Sequence, residues 1–198
     1  AGWAEADLGQ CLATGRNRRG EAFGGMTDAI FHGTQHLTDA DLHAMARYLL
    51  SLQPHQPTLS AWHYDPSAAT ALQAGDASAQ GAKVYVDHCE ACHRSDGRGY
   101  APAFPPLAGN PVLMSDDPAS LVHVVQSGAV LPGMTKAPSA FAMPAYSGIL
   151  SSQQIADVVT FIRKSWGNNA APVTAATVEE LRKSAPEPTI QKGIIPLN

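Results

Sequence analysis

Residues 89–93 read Cys89-Glu90-Ala91-Cys92-His93, and the fold is legible outward from them. A Cys-x-x-Cys-His run is the attachment signature of a c-type haem. The two thiols add to the haem vinyl groups, and the adjacent imidazole ligates the iron from below. The spacing has a geometric cause: residues three and four apart share one face of a helix. A single turn therefore presents both sulfurs to the porphyrin edge and the histidine to its centre.

Other readings of the motif lack partners. A structural zinc site needs a second ligand pair at suitable spacing, and Cys11, far upstream, is the one further cysteine in the chain. A thioredoxin-like redox pair belongs beside a βαβ pattern, and no alternating Val/Ile strand run is present.

Composition sets the class. At 198 residues the chain has room for one or two domains, and its 44% hydrophobic, 15% charged balance is that of a globular protein. No run approaches the length of a transmembrane helix, and no basic-then-apolar leader opens the sequence. Covalent haem nevertheless implies export to a periplasm-like compartment, with the leader removed. Net charge is −4. Residues 75–167 hold six Lys/Arg against seven Asp/Glu, so the basic patch of a nucleic-acid binder is absent. Docking of a redox partner then relies on shape and apolar contact as much as on steering.

Along the chain, residues 1–52 read as helix, loop, helix. Leu8, Cys11 and Leu12 share a face and Gly15 stops the first segment. An irregular stretch runs from Arg16 to about Met26. Thr38 then caps a helix with Asp39 and Asp41 in its first turn, and Leu42, Met45, Ala46, Leu49 and Leu52 recur at helical period. Residues 53–75, rich in Pro and containing Trp62 and Tyr64, read as a linker. A haem-bearing helix is expected over 76–94, with Ala82, Tyr85, Val86 and Cys89 along one side. A Gly/Pro-rich loop follows, its core supplied by the haem it wraps. Asp117 and Pro118 open a helix carrying Leu121, Val122, Val124 and Val125 and ending at Gly128. The last strong helix begins with a capping box, Ser151 with Gln154, and carries Ile155, Val158, Val159 and Ile162. Residues 168–198 form a tail with one short helical segment, Val178 to Lys183.

The N-terminal segment repeats the end of the haem domain at a constant offset. Leu8 pairs with Leu121, Leu12 with Val125 and Gly15 with Gly128. Without a gap, Leu37 then pairs with Leu150, Thr38 with Ser151, Leu42 with Ile155, Tyr48 with Phe161 and Leu49 with Ile162. Two helices in phase, with their caps and stops, indicate duplication. Residues 1–52 thus read as the back half of a second domain whose haem-attaching half would lie upstream of residue 1. Truncation is the favoured account, because an orphan half exposes an apolar face. That face must be covered by the linker, the haem domain, the tail or a second copy, and a homodimer through residues 1–52 is the expectation. Cys11 lies opposite Val124 and reads as a small buried hydrophobe.

An electron carrier needs a second axial ligand, and methionine gives a high potential. Of Met114, Met134 and Met143, the last lies in the loop that must cross the open haem face before the Ser151 cap. It is the favoured ligand, and the other two read as core. The histidines outside the motif read as ordinary residues. Met26 is the candidate axial ligand for the missing haem, against a solvated loop beside Arg18 and Arg19. A carbonyl within Phe104-Pro105-Pro106-Leu107 is placed to hold the other ring nitrogen of His93. Tyr100, Leu107, Leu113, Val125 and Leu131 are the expected pocket.

These stretches resemble a known family. Residues 76–183 are similar to the third haem domain of the cytochrome subunit of membrane-bound, pyrroloquinoline-quinone-dependent alcohol dehydrogenases. The likeness rests on Cys89-x-x-Cys-His with Arg94-Ser95-Asp96-Gly97, on Phe104 to Pro111, on Met143-Pro144-Ala145, and on Ile155 to Val159 with Ser165-Trp166-Gly167-Asn168. Residues 1–52, with Thr34 to Leu42, look like the tail of the second haem domain. Gluconate and fructose dehydrogenase cytochromes are similar. The resemblance implies an all-α, class I cytochrome c fold over 76–167, one haem c on Cys89 and Cys92, and axial ligation by His93 and Met143. It also implies that Pro106 offers the carbonyl to His93. The implied role is single-electron relay from a periplasmic dehydrogenase subunit toward quinone, a terminal oxidase or another cytochrome. One attachment motif stands where the family has three, and no membrane anchor is visible, which speaks against quinone reduction by this chain alone. A small haem peroxidase is the competing reading, and would need an open iron position. A docking fragment of a multi-haem subunit is another.

Overall fold

Residues 3–52 and 62–184 are described by the computed structural model, in which the chain divides into two units. Among the described residues, the first comprises the N-terminal residues through Trp62 together with Val130–Ala142; the second comprises His63–Ala129 and residues 143–184.

In the first unit, α1 (Glu5–Thr14) ends at Gly15, whose φ is +74°. A short antiparallel pair follows, β1 (Arg16–Asn17) with β2 (Gly20–Glu21), in which Arg16 faces Glu21. Next come α2 (Gly25–His32), a 3-10 turn (Thr34–His36) and α3 (Asp39–Ser51). The expected irregular stretch from Arg16 to Met26 is thus a hairpin leading into a helix. The hairpin has a local cause. The Arg18 guanidinium grips Asp7 with two bonds of 2.8 and 3.0 Å, and Arg19 adds a third of 3.2 Å. These bonds hold the Asp7 carboxyl well below the usual carboxylate range. Arg18 and Arg19 therefore staple the hairpin to α1.

Thr38 caps α3 by accepting from the Asp41 N–H at 3.3 Å. Leu12, Ala13 and Leu42 form the contact between α1 and α3. A second small core joins Ile30 to Leu131 and Met134, brought in by a hairpin whose strands are β3 (Ala129–Leu131) and β4 (Phe141–Met143). Gln35 Oε1 accepts from the Thr135 N–H at 2.9 Å, and Lys136 pairs with Asp39. Part of the expected haem domain, residues 130–142, thus belongs to the first unit. It covers Ile30, one of the faces left open by residues 1–52.

The second unit is helical: α4 (Ser67–Gln73), α5 (Ala82–His88), α6 (Glu90–His93), α7 (Ala119–Ser127), α8 (Ser152–Lys164) and α9 (Ala175–Lys183). Its centre is α8, which packs on α5, α7 and α9. The capping box is present: Ser151 Oγ accepts from Gln154 N–H at 3.2 Å, and Gln154 Oε1 accepts from Ser151 N–H at 3.0 Å. Ile155, Val158, Val159 and Ile162 are buried, as the period requires. Two boundaries differ from expectation. Residues 67–73, read as linker, form α4, and Ala69 and Leu72 enter the core. The helix expected to bear the haem starts at Ala82, not 76, because Gly81 takes φ +82° and ends the preceding turn; it also breaks at Cys89. A Cβ on Gly81 would stand 2.1 Å from the Asp157 carbonyl oxygen, so α5 and α8 cross at backbone contact.

Segments paired by the sequence offset share local features. Asp39–Ser51 and Ser152–Lys164 are both 13-residue helices, and Gly15 and Gly128 both hold positive φ. Burial differs. Phe161 and Ile162 are buried at 7% and 3% exposure, while their partners Tyr48 and Leu49 stand at 66% and 42%. Phe161 packs on Tyr85 of α5, ring centres 5.4 Å apart. Among the described residues, no helix plays the part of α5 toward α3.

Candidate functional site

The motif lies across a sharp bend. Tyr85 O accepts from Cys89 N–H at 2.8 Å, closing α5, and Cys89 O then accepts from Cys92 and His93 N–H at 3.2 and 2.9 Å, opening α6. This single turn gathers both thiols and the imidazole. Both cysteines are free. Burial, then the neighbouring Cys92, pushes the Cys89 thiol up to about 12, so the unloaded chain keeps this sulfur as a protonated thiol. The thioether of an attached haem has no such proton.

His93 is buried, at 9% exposure. Burial lowers its pKa, opposed by a hydrogen bond of its Nδ1 to the Pro105 carbonyl at 3.0 Å. The ring is therefore neutral, with Nδ1 the protonated nitrogen and Nε2 left as the electron-pair donor, the form a metal ligand needs. The carbonyl belongs to Pro105 and not to Pro106 as the resemblance implied. Pro106 O instead accepts from Asn110 Nδ2 at 3.1 Å.

The loop after His93 is held by its own backbone. Gly97 O accepts from both Leu107 and Ala108 N–H, at 2.7 and 2.9 Å, and His93 O accepts from Gly99 N–H at 3.1 Å. Gly97 must be glycine: its φ is +66° and a Cβ would lie 2.5 Å from the Trp166 ring. Trp166 is itself buried, and its Nε1 donates to Ser95 O at 2.9 Å. Tyr85 Oη donates to Arg94 O at 2.7 Å, tying the motif to the α5–α8 crossing.

Of the expected pocket residues, Leu107, Leu113 and Val125 lie in the second unit's core, with Met143 packed against it. Tyr100 is half exposed and stacks under the Arg94 guanidinium, 5.2 Å from the ring centre. Leu131 does not join them; it packs in the first unit with Ile30 and Met134. Met134 is buried at 2% exposure in that cluster, while Met143 packs against the second unit's core. Met26 stands 51% exposed in the first turn of α2.

Three residues at the site were not legible as parts of it. Tyr146 Oη donates to His88 O at 2.7 Å, and its N–H donates to Val125 O at 3.0 Å. Its link joins the Met143 segment to α5. Arg163, read as a last-turn cation, is buried and donates to Leu113 O and Ala171 O at 3.0 and 2.9 Å. Asn168 reaches the loop beneath His93. Each acts through partners distant in sequence, a signal that local pattern does not carry.

The arrangement of neutral imidazole, paired free thiols and apolar surround fits a covalently attached haem. In comparisons with known proteins, the family model described as "Cytochrome c" matches residues 78–166. The chain is 54% identical over 182 residues to the "Alcohol dehydrogenase (quinone), cytochrome c subunit" of Komagataeibacter europaeus, covering 91% of this chain and 39% of that one. It is 49% identical over 183 residues to the "Gluconate 2-dehydrogenase cytochrome c subunit" of Pantoea cypripedii, covering 91% and 42%. Cytochrome c-552 of Thermus thermophilus is 32% identical over 124 residues, covering 54% of this chain and 76% of the relative. The chain thus spans about two fifths of the length of the dehydrogenase subunits it matches.

Proposed function

The chain belongs to the cytochrome c family, and from that premise we propose that its second unit relays single electrons through one haem c held by Cys89 and Cys92. The observation that carries this reading is His93: buried, and oriented by Pro105 on the same turn as two free thiols. A bound haem c supplies a one-electron couple. The chain's own residues hold it, orient its lower ligand, and keep water from it with Leu107, Leu113 and Val125. Met143 is the proposed upper ligand, which gives a high potential and leaves no open position for peroxide. The electron donor is proposed to be a dehydrogenase subunit at the periplasmic face, and the acceptor a quinone or another cytochrome. That assignment is supported by the names of the relatives. Among the described residues no helix is long and apolar enough to cross a membrane.

The test is the holoprotein carrying Met143→Ala. It should lose the weak red-edge charge-transfer band of sulfur on ferric haem and show a lower midpoint potential, while Met134→Ala should keep both. The reverse outcome would place the ligand elsewhere. Intact mass should report one haem for the chain.

Residues 1–52 are read as the back half of a second such domain, with Met26 as the axial methionine of its haem. The exposed face of α3 with its C-cap, Met45, Tyr48, Leu49 and Leu52, is the surface such a domain would bury, and in this chain it is offered to a second copy. Sedimentation of the full chain as a monomer at high concentration would remove the dimer.

A further inference from the structure

We propose that Asn168 is a positioning residue for His93, acting on the carbonyl that orients its ring; the proposal rests on the reading of His93 as an iron ligand. Asn168 follows the end of α8 and is 3% exposed. Its Nδ2 donates to Leu107 O at 3.1 Å and to Ile162 O at 3.0 Å, and its Oδ1 accepts from Gly109 N–H at 2.9 Å. Two carbonyls on the nitrogen side and an N–H on the oxygen side leave one orientation of the amide. The three bonds clamp Leu107 and Gly109 to the end of α8.

That clamp bears on His93 because of what lies between. Pro106 alone separates the Pro105 carbonyl, the His93 acceptor, from Leu107, and both prolines have φ locked by their rings. A rigid dipeptide carries a displacement of Leu107 into one of the Pro105 carbonyl. The other tether of this loop, Gly97 O with Leu107 and Ala108 N–H, holds its opposite edge. Gly97 is set against the Trp166 ring, two residues before Asn168. The end of α8 thus presses on one side of the loop through Trp166 and fastens the other through Asn168. Without Asn168 the carbonyls of Leu107 and Ile162 and the N–H of Gly109 lose a buried partner, and the loop can drift.

A carbonyl drawn away from Nδ1–H makes the imidazole a poorer donor to iron. The ferric state is then less stabilised and the midpoint potential rises. The ring N–H also exchanges faster with solvent. The experiment uses the haem-loaded full chain with Asn168→Ala. Its control is Ser165→Ala, which removes the buried Ser165 Oγ to Phe161 O bond of 2.7 Å from the same helix end without touching the loop.

In the ferric wild type, the His93 Nδ1–H should appear as a hyperfine-shifted, slowly exchanging proton. Asn168→Ala should speed its exchange about tenfold and raise the potential. Ser165→Ala should lower the melting point while leaving both readings at wild-type values. If Asn168→Ala yields no holoprotein, the uncharged Asn168→Ser, too short to reproduce the amide bonds to Leu107 and Ile162, should show the same two shifts. Unchanged exchange and potential in these variants, or equal shifts in Ser165→Ala, would overturn the proposal and leave Asn168 as a stabilising residue only. A wild type with no shifted His93 ring proton would instead overturn the ligation on which it rests.

Discussion

Gly81 stands where α5 meets α8, and its replacement by alanine separates two costs that usually arrive together. Its φ of +82° imposes a backbone penalty on any L-residue, about 1–2 kcal/mol. In addition, the new Cβ would lie 2.1 Å from Asp157 O, 2.4 Å from Asp157 C and 2.9 Å from Val158 N. These are main-chain atoms inside α8, so no side chain can rotate aside; the helices must part. Overpacking of this kind costs about 1–3 kcal/mol. Gly81→Ala should therefore lose about 2–5 kcal/mol in all. Gly75 supplies the reference: its φ is +78°, and a Cβ there meets nothing within 4 Å. Gly75→Ala should show the backbone term alone, about 1–2 kcal/mol. Urea unfolding of the haem-loaded variants, followed by circular dichroism, gives both values. Equal losses for the two variants would refute the backbone-contact crossing.

Two further outcomes follow from the electrostatics and the caps. Glu21 is largely buried opposite Arg16, and burial raises its carboxyl to about 7, only partly offset by the Arg16 charge. Because its folded pKa lies above the unfolded one, the first unit should lose stability as pH rises from about 4.5 to 7 and then level off. Glu21→Gln should flatten that slope, measured as melting point against pH; an unchanged slope would show the carboxyl to be ionised throughout. Ser151→Ala and Thr38→Ala remove matched caps from α8 and α3. Each should cost about 1 kcal/mol in its own unit by denaturant titration, and a null effect of Ser151→Ala would mean that the Gln154 bond alone holds the turn.

The helices whose signals are local were legible. Ser151 with Gln154, and Thr38 with Asp41, announce helix starts through bonds between residues three apart. The stripe of Ile155, Val158, Val159 and Ile162 needs only the helical period to show which face is buried. The Cys-x-x-Cys-His turn is likewise self-contained, so the proposed attachment residues and lower ligand are readable without coordinates. The proposed duplication rests on signals of the same local kind, caps and stop glycines that recur at one offset.

What the linear pattern could not decide is contact. The carbonyl on His93 is that of Pro105 and not its neighbour, in a loop bonded at Leu107 to Gly97 and to Asn168, one of them more than sixty residues away. Leu131 and Met134 look like their neighbours in sequence, yet they fill the first unit beside Ile30, leaving Met143 on the haem-bearing core. Tyr48 and Phe161 occupy the same place in two like helices, and the presence of Tyr85 and Trp166 beside one of them makes it core. A helix reports which of its faces is apolar; which surface meets that face is settled by elements far along the chain, through burial that no local spacing encodes.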